Sequence, residues 1–370
     1  MRQRLWLKAV WSLDCYFNEY PYDGGCEEGP GYWHANSGHN ALSWLEYASF
    51  GYIEAFSEQQ IKNILGYGIN MYVGNNNYVP VSDAHMNYEK ENVHILYEIA
   101  EMANDERLKI MAAQRGWIEA GSQKLLPEIL ENLFHPMEKE FFDEYAGREL
   151  KFDKSFWYDS IQTAIWREKD TVGGLYCTIK GGHNKELHNH NDVGHFTIFN
   201  DCEPVIIDPG MGVYSNKAFS DERYSIWFFN SKYHNVPYIG GIEQKDDDTK
   251  FGAIVLDRTD DSVKMDIAPA YDNESILHWI RSMKYSHETG EYFVDEEYEF
   301  TEEKDIDLHF ILVKEPDIKE NKILLSGGLE ILYSDMEAAC EEIDLNDKLM
   351  EKYWGSLYRL KLSTKGKKGK

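Results

Sequence analysis

The hydrophobic period of this chain changes once, near residue 150, and that change limits the folds open to it. Before it, segments 36–53 (NSGHNALSWLEYASFGYI), 57–73 (SEQQIKNILGYGINMYV) and 92–117 (NVHILYEIAEMANDERLKIMAAQRGW) carry apolar residues near i, i+3 and i+4, the spacing of one helix face. Ser57 with Gln60 resembles a capping box at the start of the second segment. After it, runs such as GLYCTIKGG, GHFTIFN, EPVIIDPG, EYFVDEEYEF and LYRLKLS read as strands separated by turn residues. ETGEY and SGGLE have the composition of hairpin turns. Helices first and strands later imply an α+β chain with segregated halves. The expected division is a helical domain over 1–150 and an antiparallel β domain over 151–370, with FFDEYAGRELKFDKSFWYDS (141–160) as the linker.

Composition narrows the partners. The formal net charge of −27 excludes nucleic acid as an expected ligand, because nothing offsets phosphate repulsion. The one basic cluster, KGKKGK at the C-terminus, reads as a solvated tail. Five cysteines at wide spacing, with no CxxC, predict reduced thiols and no Cys-type zinc site. No apolar stretch is long enough for a membrane span, and Lys8, Ser12 and Asp14 interrupt any signal-like region at the N-terminus. A cytoplasmic protein is the expectation for the chain as given. A cell-envelope or periplasmic location is the alternative should further sequence precede Met1. Self-association is left open. The 25 tyrosines and 10 tryptophans suit carbohydrate grooves, although core packing explains most single rings equally well.

Chemistry concentrates in HNHNDVGHF, residues 188–196. On a strand, His188 and His190 would share one face. A metal site needs further donors from elsewhere. Asp208 ends the β run EPVIIDPG, and His234 lies in the polar stretch SKYHNVP. Each has a plain alternative. Asp208 before Pro-Gly can simply shape a turn, His234 can be surface or hydrogen-bonded core, and Asp192 is a rival ligand. The aromatic, glycine-rich loops YPYDGGCEEGPGYWH and GNNNYVPVSDAHMNY are candidate site loops of the helical half.

Residues 180–241, containing HNHND, IDPG, ERY and HNVP in order, resemble the C-terminal signature of the heparinase II/III-like polysaccharide lyases. DGGCEEGPGYW (23–33) is similar to a loop of their helical domain. The resemblance implies a partial α/α toroid followed by an antiparallel β-sandwich. It implies a structural zinc on His190, Asp208 and His234, and a catalytic or substrate-contacting imidazole at His188. It also implies β-elimination on a uronate-containing oligo- or polysaccharide. His188 is then the expected base and Tyr78 the expected acid, with Tyr32 and Tyr72 as rivals. Glu28 is expected to face the substrate carboxylate, and Tyr32, Arg223 and Tyr224 to bind substrate. Arg223 could instead pair with Asp221 or Glu222. The other classes open at this point are an inactive or truncated glycan-binding relative and a zinc-dependent hydrolase.

Overall fold

In the computed structural model of the protein, residues 2–34, 38, 41–42, 44–45, 53–87, 93–116 and 137–370 are described. The segment predicted as a helix over 36–53 lies largely outside them. The described helices of the first half are α1 (Arg2–Glu19), α2 (Gly29–Tyr32), α3 (Gln59–Asn70), α4 (Val93–Ala103), α5 (Glu106–Gln114) and α6 (Lys139–Tyr145). A seventh, α7 (Lys348–Trp354), comes near the C-terminus. None of them is long and apolar enough to cross a membrane.

Helix boundaries correct the sequence reading in three places. Segment 92–117 is two helices, because Asn104 takes a positive φ of 48° and Asp105 caps α5 through the Arg107 and Leu108 amides. The residue before α3 is Glu58, in extended conformation, with no side-chain cap, and Ser57 bonds back to the Glu54 carbonyl, so the expected capping box does not form. The supposed linker contains α6, whose Phe141 and Phe142 are core residues, and the first strand of the large sheet.

In the first half, β1 (Tyr72–Gly74) and β2 (Asn77–Tyr78) form a small antiparallel pair. From Ser155 onward the chain is mostly antiparallel sheet: β3 (Ser155–Tyr158), β4 (Thr163–Arg167), β5 (Leu175–Lys180), β6 (Phe196–Asn200), β7 (Glu203–Ile206), β8 (Pro237–Ile239), β9 (Ile254–Arg258), β10 (Ser262–Asp266), β11 (Ile276–Ser286) and β12 (Glu291–Leu312). After them come β13 (Asp317–Lys319), β14 (Lys322–Leu324), β15 (Glu330–Leu332), β16 (Glu337–Glu342) and β17 (Tyr358–Gly369). The large sheet runs β3-β4-β5-β6-β7-β12-β11-β10-β9, with β17 and β8 also on β12 and β16 on β17. The 22-residue β12 makes this possible. Its first part pairs with β11, and its last part with β17, β8 and β7. The sheet curls until its ends meet, where Trp166 Nε1 on β4 donates to the Asp260 carbonyl in the β9–β10 turn (2.8 Å). Both expected hairpin turns form, ETGEY between β11 and β12 and SGGLE between β14 and β15.

One apolar core fills the curled sheet, around Trp166, Trp279, Met283 and Phe300. A second joins the helices to the outside of β3–β6 through Tyr158, Ile165, Tyr176 and Phe199. The joint is polar at one point. Buried Arg167 donates to the carbonyl of Asn70, the last residue of α3, and to that of Tyr72 at the start of β1 (3.0 and 2.5 Å), and Tyr176 also donates to Asn70 (3.0 Å). A cation at the carbonyl end of a helix satisfies groups that have no partner within the helix. This joint fixes where the chain emerges from α3, and so places the loop over residues 79–87.

Candidate functional site

The HNHND segment is not a strand. It is the loop between β5 and β6, and His188 has a left-handed φ of 55°, which is uncommon outside glycine. The two histidines are brought together by a carboxylate from the helical half instead of by strand alternation. Asp83 Oδ2 lies 2.8 Å from His188 Nδ1, and Oδ1 lies 3.0 Å from His190 Nε2. Arg223 Nη2 donates to Oδ1 (2.8 Å) and the Tyr214 hydroxyl to Oδ2 (2.7 Å). Burial opposes ionisation of Asp83, but the bonds to His188 and His190 and the charge of Arg223 outweigh it. The carboxyl is held well below the usual range.

Asp83 reaches this position because its loop is gripped by backbone from both sides. A Cβ on Gly29 would meet the Val81 carbonyl at 2.4 Å, and one on Gly210 would meet the Ala84 carbonyl at 2.5 Å; both glycines have positive φ. Ser82 Oγ adds a bond to the Glu27 carbonyl (2.7 Å).

Next to this carboxylate lie the three residues expected to hold a metal. His190, Asp208 and His234 are fully buried, each with a ligand atom within 4.8 Å of the others. Asp208 does both things its sequence position allows. Its Oδ1 accepts the Gly210 amide (2.7 Å), shaping the turn, while Oδ2 is buried without a hydrogen-bond partner. His190 Nδ1 and both nitrogens of His234 are likewise buried without a hydrogen bond, although His234 Nδ1 lies 3.3 Å from Asp208 Oδ2. Buried polar atoms are rarely left this way unless something else binds them. Imidazole and carboxylate are zinc donors, so these residues fit the ion the sequence suggested.

His195 plays a supporting part. Its Nδ1 accepts the Asn235 amide (3.0 Å), and its Nε2 faces Asp208 at 3.6 Å. Burial lowers its pKa to about 4 despite the nearby Asp208 charge. Burial also lowers His190. Asp208 is opposed by burial but held low by His234, His195 and His190. Asp192, the rival ligand, is instead paired with buried Lys180 (2.7 Å), which also holds Glu186 (2.8 Å).

The remaining expected residues divide. Tyr32 stacks on the His188 ring with centroids 4.0 Å apart, and its hydroxyl lies 2.8 Å from that of Tyr214. Tyr214 is also 3.4 Å from His188 Nδ1. Glu28, just before α2, is half-buried. Burial raises its pKa, and the charge of His188 partly offsets this. Tyr78 is placed differently from its expected role. Its ring is fully buried against His34 and Tyr72, and its hydroxyl bonds Arg115. Rival Tyr72 is buried beside it. Arg223 is committed inside the protein, donating to Asp83, to the Asn189 carbonyl (2.9 Å) and to the Ala218 carbonyl (3.1 Å) over the Phe229 ring. Neither of its expected acidic neighbours takes it, and Glu222 pairs with Lys217. The Tyr224 hydroxyl accepts from Asn189 (3.0 Å), bracing the loop between the histidines.

Sequence reasoning missed Asp83 and Tyr214. Asp83 lies in a loop already notable for its functional groups, and its one signal is an acid within the apolar stretch YVPVSDA. Tyr214 follows the DPG turn by four residues, and nothing in its neighbours distinguishes it from the other tyrosines.

The sequence model described as "Heparinase II/III-like, C-terminal" matches residues 154–346, just over half of the chain. Among solved structures, the BT4657 gene product, titled a heparinase III, is similar over 96% of this chain and 52% of its own, at 16% identity and a TM-score of 0.67. The heparan sulfate lyase HepC from Pedobacter heparinus is similar over 96% and 52%, at 14% identity and a TM-score of 0.64. A further heparinase III is similar over 98% and 54%, at 16% identity and a TM-score of 0.65. The likeness at this identity is one of fold, and the chain spans about half the length of these structures. No curated protein sequence matches it. The chain belongs to the heparinase II/III-like family, matched through that family's C-terminal domain.

Proposed function

We propose that this protein is a lyase that cleaves a uronate-containing oligo- or polysaccharide by β-elimination. The observation that carries the reading is His188, partly exposed at the junction of the two halves, with its ring stacked on Tyr32 and Tyr214 beside it. In this reaction a base removes the C5 proton, the electron pair forms the C4–C5 double bond, and the C4–O bond breaks toward the leaving sugar. That oxygen must receive a proton. His188 is the base. Tyr32, which touches the His188 ring, replaces buried Tyr78 as our choice of acid. Glu28 faces the substrate carboxylate, whose charge otherwise opposes loss of the C5 proton, and burial shifts the Glu28 pKa upward, the direction that a hydrogen bond from one carboxyl to another requires. Arg223 supports the site from within the protein.

His190, Asp208 and His234 would hold zinc. The ion would supply a fixed charge and a clamp between the β5–β6 loop, the end of β7 and the segment before β8. The helices over 1–150 are read as part of an α/α toroid and 151–370 as the β domain, in keeping with the likeness to heparinase III structures.

The test is ultraviolet absorbance of an unsaturated uronate product on a panel of uronate glycans. Wild-type protein should generate it, and His188→Ala should abolish it while leaving the melting temperature near wild type. Absence of such product with every glycan, or full activity in His188→Ala, would reject the assignment. The aromatic and imidazole rings stacked at the site also suit a second reading, a glycan-binding relative. That protein would bind the same panel without forming product.

A further inference from the structure

We infer that Asp83 is a positioning residue that sets the tautomers of His188 and His190 in opposite senses, tying the proton-accepting imidazole to the metal-facing one. The inference rests on the lyase reading for the role of His188, and on the site's geometry for the rest.

An ionised carboxylate only accepts, with about four lone-pair sites. Asp83 faces four partners, two at each oxygen: His190 and Arg223 at Oδ1, His188 and Tyr214 at Oδ2. Arg223 can only donate. At 2.8 and 3.0 Å from an acceptor, each imidazole nitrogen must carry its hydrogen. When neutral, His188 is therefore the Nδ1–H tautomer, which leaves Nε2 with the lone pair that a base requires. His190 is the Nε2–H tautomer, which leaves Nδ1 with its lone pair, and that is the buried, unpaired nitrogen 3.9 Å from Asp208. A histidine that binds a metal through one nitrogen commonly donates from the other to a carboxylate. A carboxylate that fixes the tautomer of a catalytic histidine is the arrangement of serine-hydrolase triads. Here one carboxylate does both.

The same carboxylate orders the hydroxyls. Tyr214 spends its hydrogen on Asp83, so with no substrate bound the 2.8 Å contact is a donation from Tyr32 to Tyr214, and Tyr32 must turn that hydrogen toward the leaving oxygen to act as the acid. Changing Asp83 thus disturbs the metal site, the base and the phenol chain together, from a position in the helical half more than a hundred residues before any of them except Tyr32.

The direct test is nitrogen NMR of the zinc-loaded wild-type protein with labelled histidine, assigned by the loss of signals in His188→Gln and His190→Gln. The expected pattern is protonated Nδ1 for His188 and protonated Nε2 for His190. Either histidine in the other tautomer overturns the inference. The second test is Asp83→Asn, whose amide replaces one of the two accepting oxygens with an NH2 donor. Zinc affinity, measured by competition with a chromogenic chelator, should fall by about 10- to 100-fold. With an active substrate in hand, kcat should fall by about 10³- to 10⁴-fold with a smaller change in KM. Unchanged zinc affinity in a folded Asp83→Asn protein would overturn the inference. If no glycan is cleaved, the lyase reading fails, while the tautomer and zinc measurements still decide the role of Asp83. If Asp83→Asn does not fold, the wild-type spectrum decides.

Discussion

Tyr32 and His309 show how a side chain's neighbours set its chemistry. Tyr32 is the phenol stacked on His188, the proposed base, so on the lyase reading Tyr32→Phe should lower kcat by about 10²- to 10⁴-fold, the span of general acid–base catalysis, and leave zinc content unchanged. Steady-state kinetics with paired metal analysis checks both. His309, on β12, is a buried imidazole stacked on Tyr238 and close to the Lys232 backbone, two residues before His234. Burial first, then the charges of Arg359 and Lys361, lower its pKa to about 3 from 6.5. The sign follows from proton binding. The unfolded chain takes up the proton first, so stability is full above pH 6.5 and declines as pH falls toward 3. His309→Gln should flatten that part of the stability profile, by an amount on the order of a few kcal/mol, in urea melts at a series of pH values. At this scale the sequence was partly legible. His190, Asp208 and His234 belong to a recognisable motif, and the structure brings them together. Asp83 and Tyr214 were not legible, because what distinguishes them is who they touch across the fold.

Secondary-structure elements carry the next layer of the site. Arg167 closes the end of α3 and thereby sets the start of the Asp83 loop. Arg167→Met would leave the Asn70 and Tyr72 carbonyls buried with fewer donors. It should destabilise the protein by about 2–4 kcal/mol, read as a lower urea midpoint. Helix α7 works from the other side. Its cap, Asp347, accepts the Leu349 and Met350 amides and reaches back to the Val213 amide (2.9 Å), one residue before Tyr214. Trp354 donates to the Pro209 carbonyl (3.0 Å), and Tyr353 donates to the Asn87 carbonyl (2.9 Å). One short helix therefore holds both loops that meet at Asp83. Asp347→Ala should cost about 1 kcal/mol as a cap and should also lower activity, an effect that a cap remote from the site would not have. The existence of helices and strands was legible from periodicity. The break at Asn104, the extended Glu58 and the loop at His188 were not, because single-residue dihedrals leave no trace in an apolar pattern.

For the whole molecule, the single change of period correctly announced helices followed by antiparallel sheet, since each period is a local property. The order of strands was hidden. β12 pairs with four other strands, and which part meets which is decided by contacts distant in sequence. The charge of −27 has a consequence for the proposed substrate. An acidic protein and an anionic glycan repel at long range, and salt screens that repulsion. KM for a polyuronate should therefore fall as ionic strength rises from a few millimolar toward 0.15 M, the reverse of the trend for a basic enzyme. Initial rates across a salt series measure it. Chelation should lower the melting temperature of the zinc-loaded protein, and added zinc should restore it, because a buried cluster of unpaired donors favours unfolding once it is emptied.

The grip on Asp83 also has a history in time. A ribosome makes residue 83 long before residues 188, 190, 214 and 223, which supply its four donors, and longer still before Tyr353, which latches its loop. Through most of synthesis the future centre of the site is a bare carboxylate on an unfinished surface. Contacts of such wide sequence separation form late and slowly. The last part of this protein to become native should then be its site, and a chain halted before residue 223 would carry its helices without the arrangement that gives them a purpose.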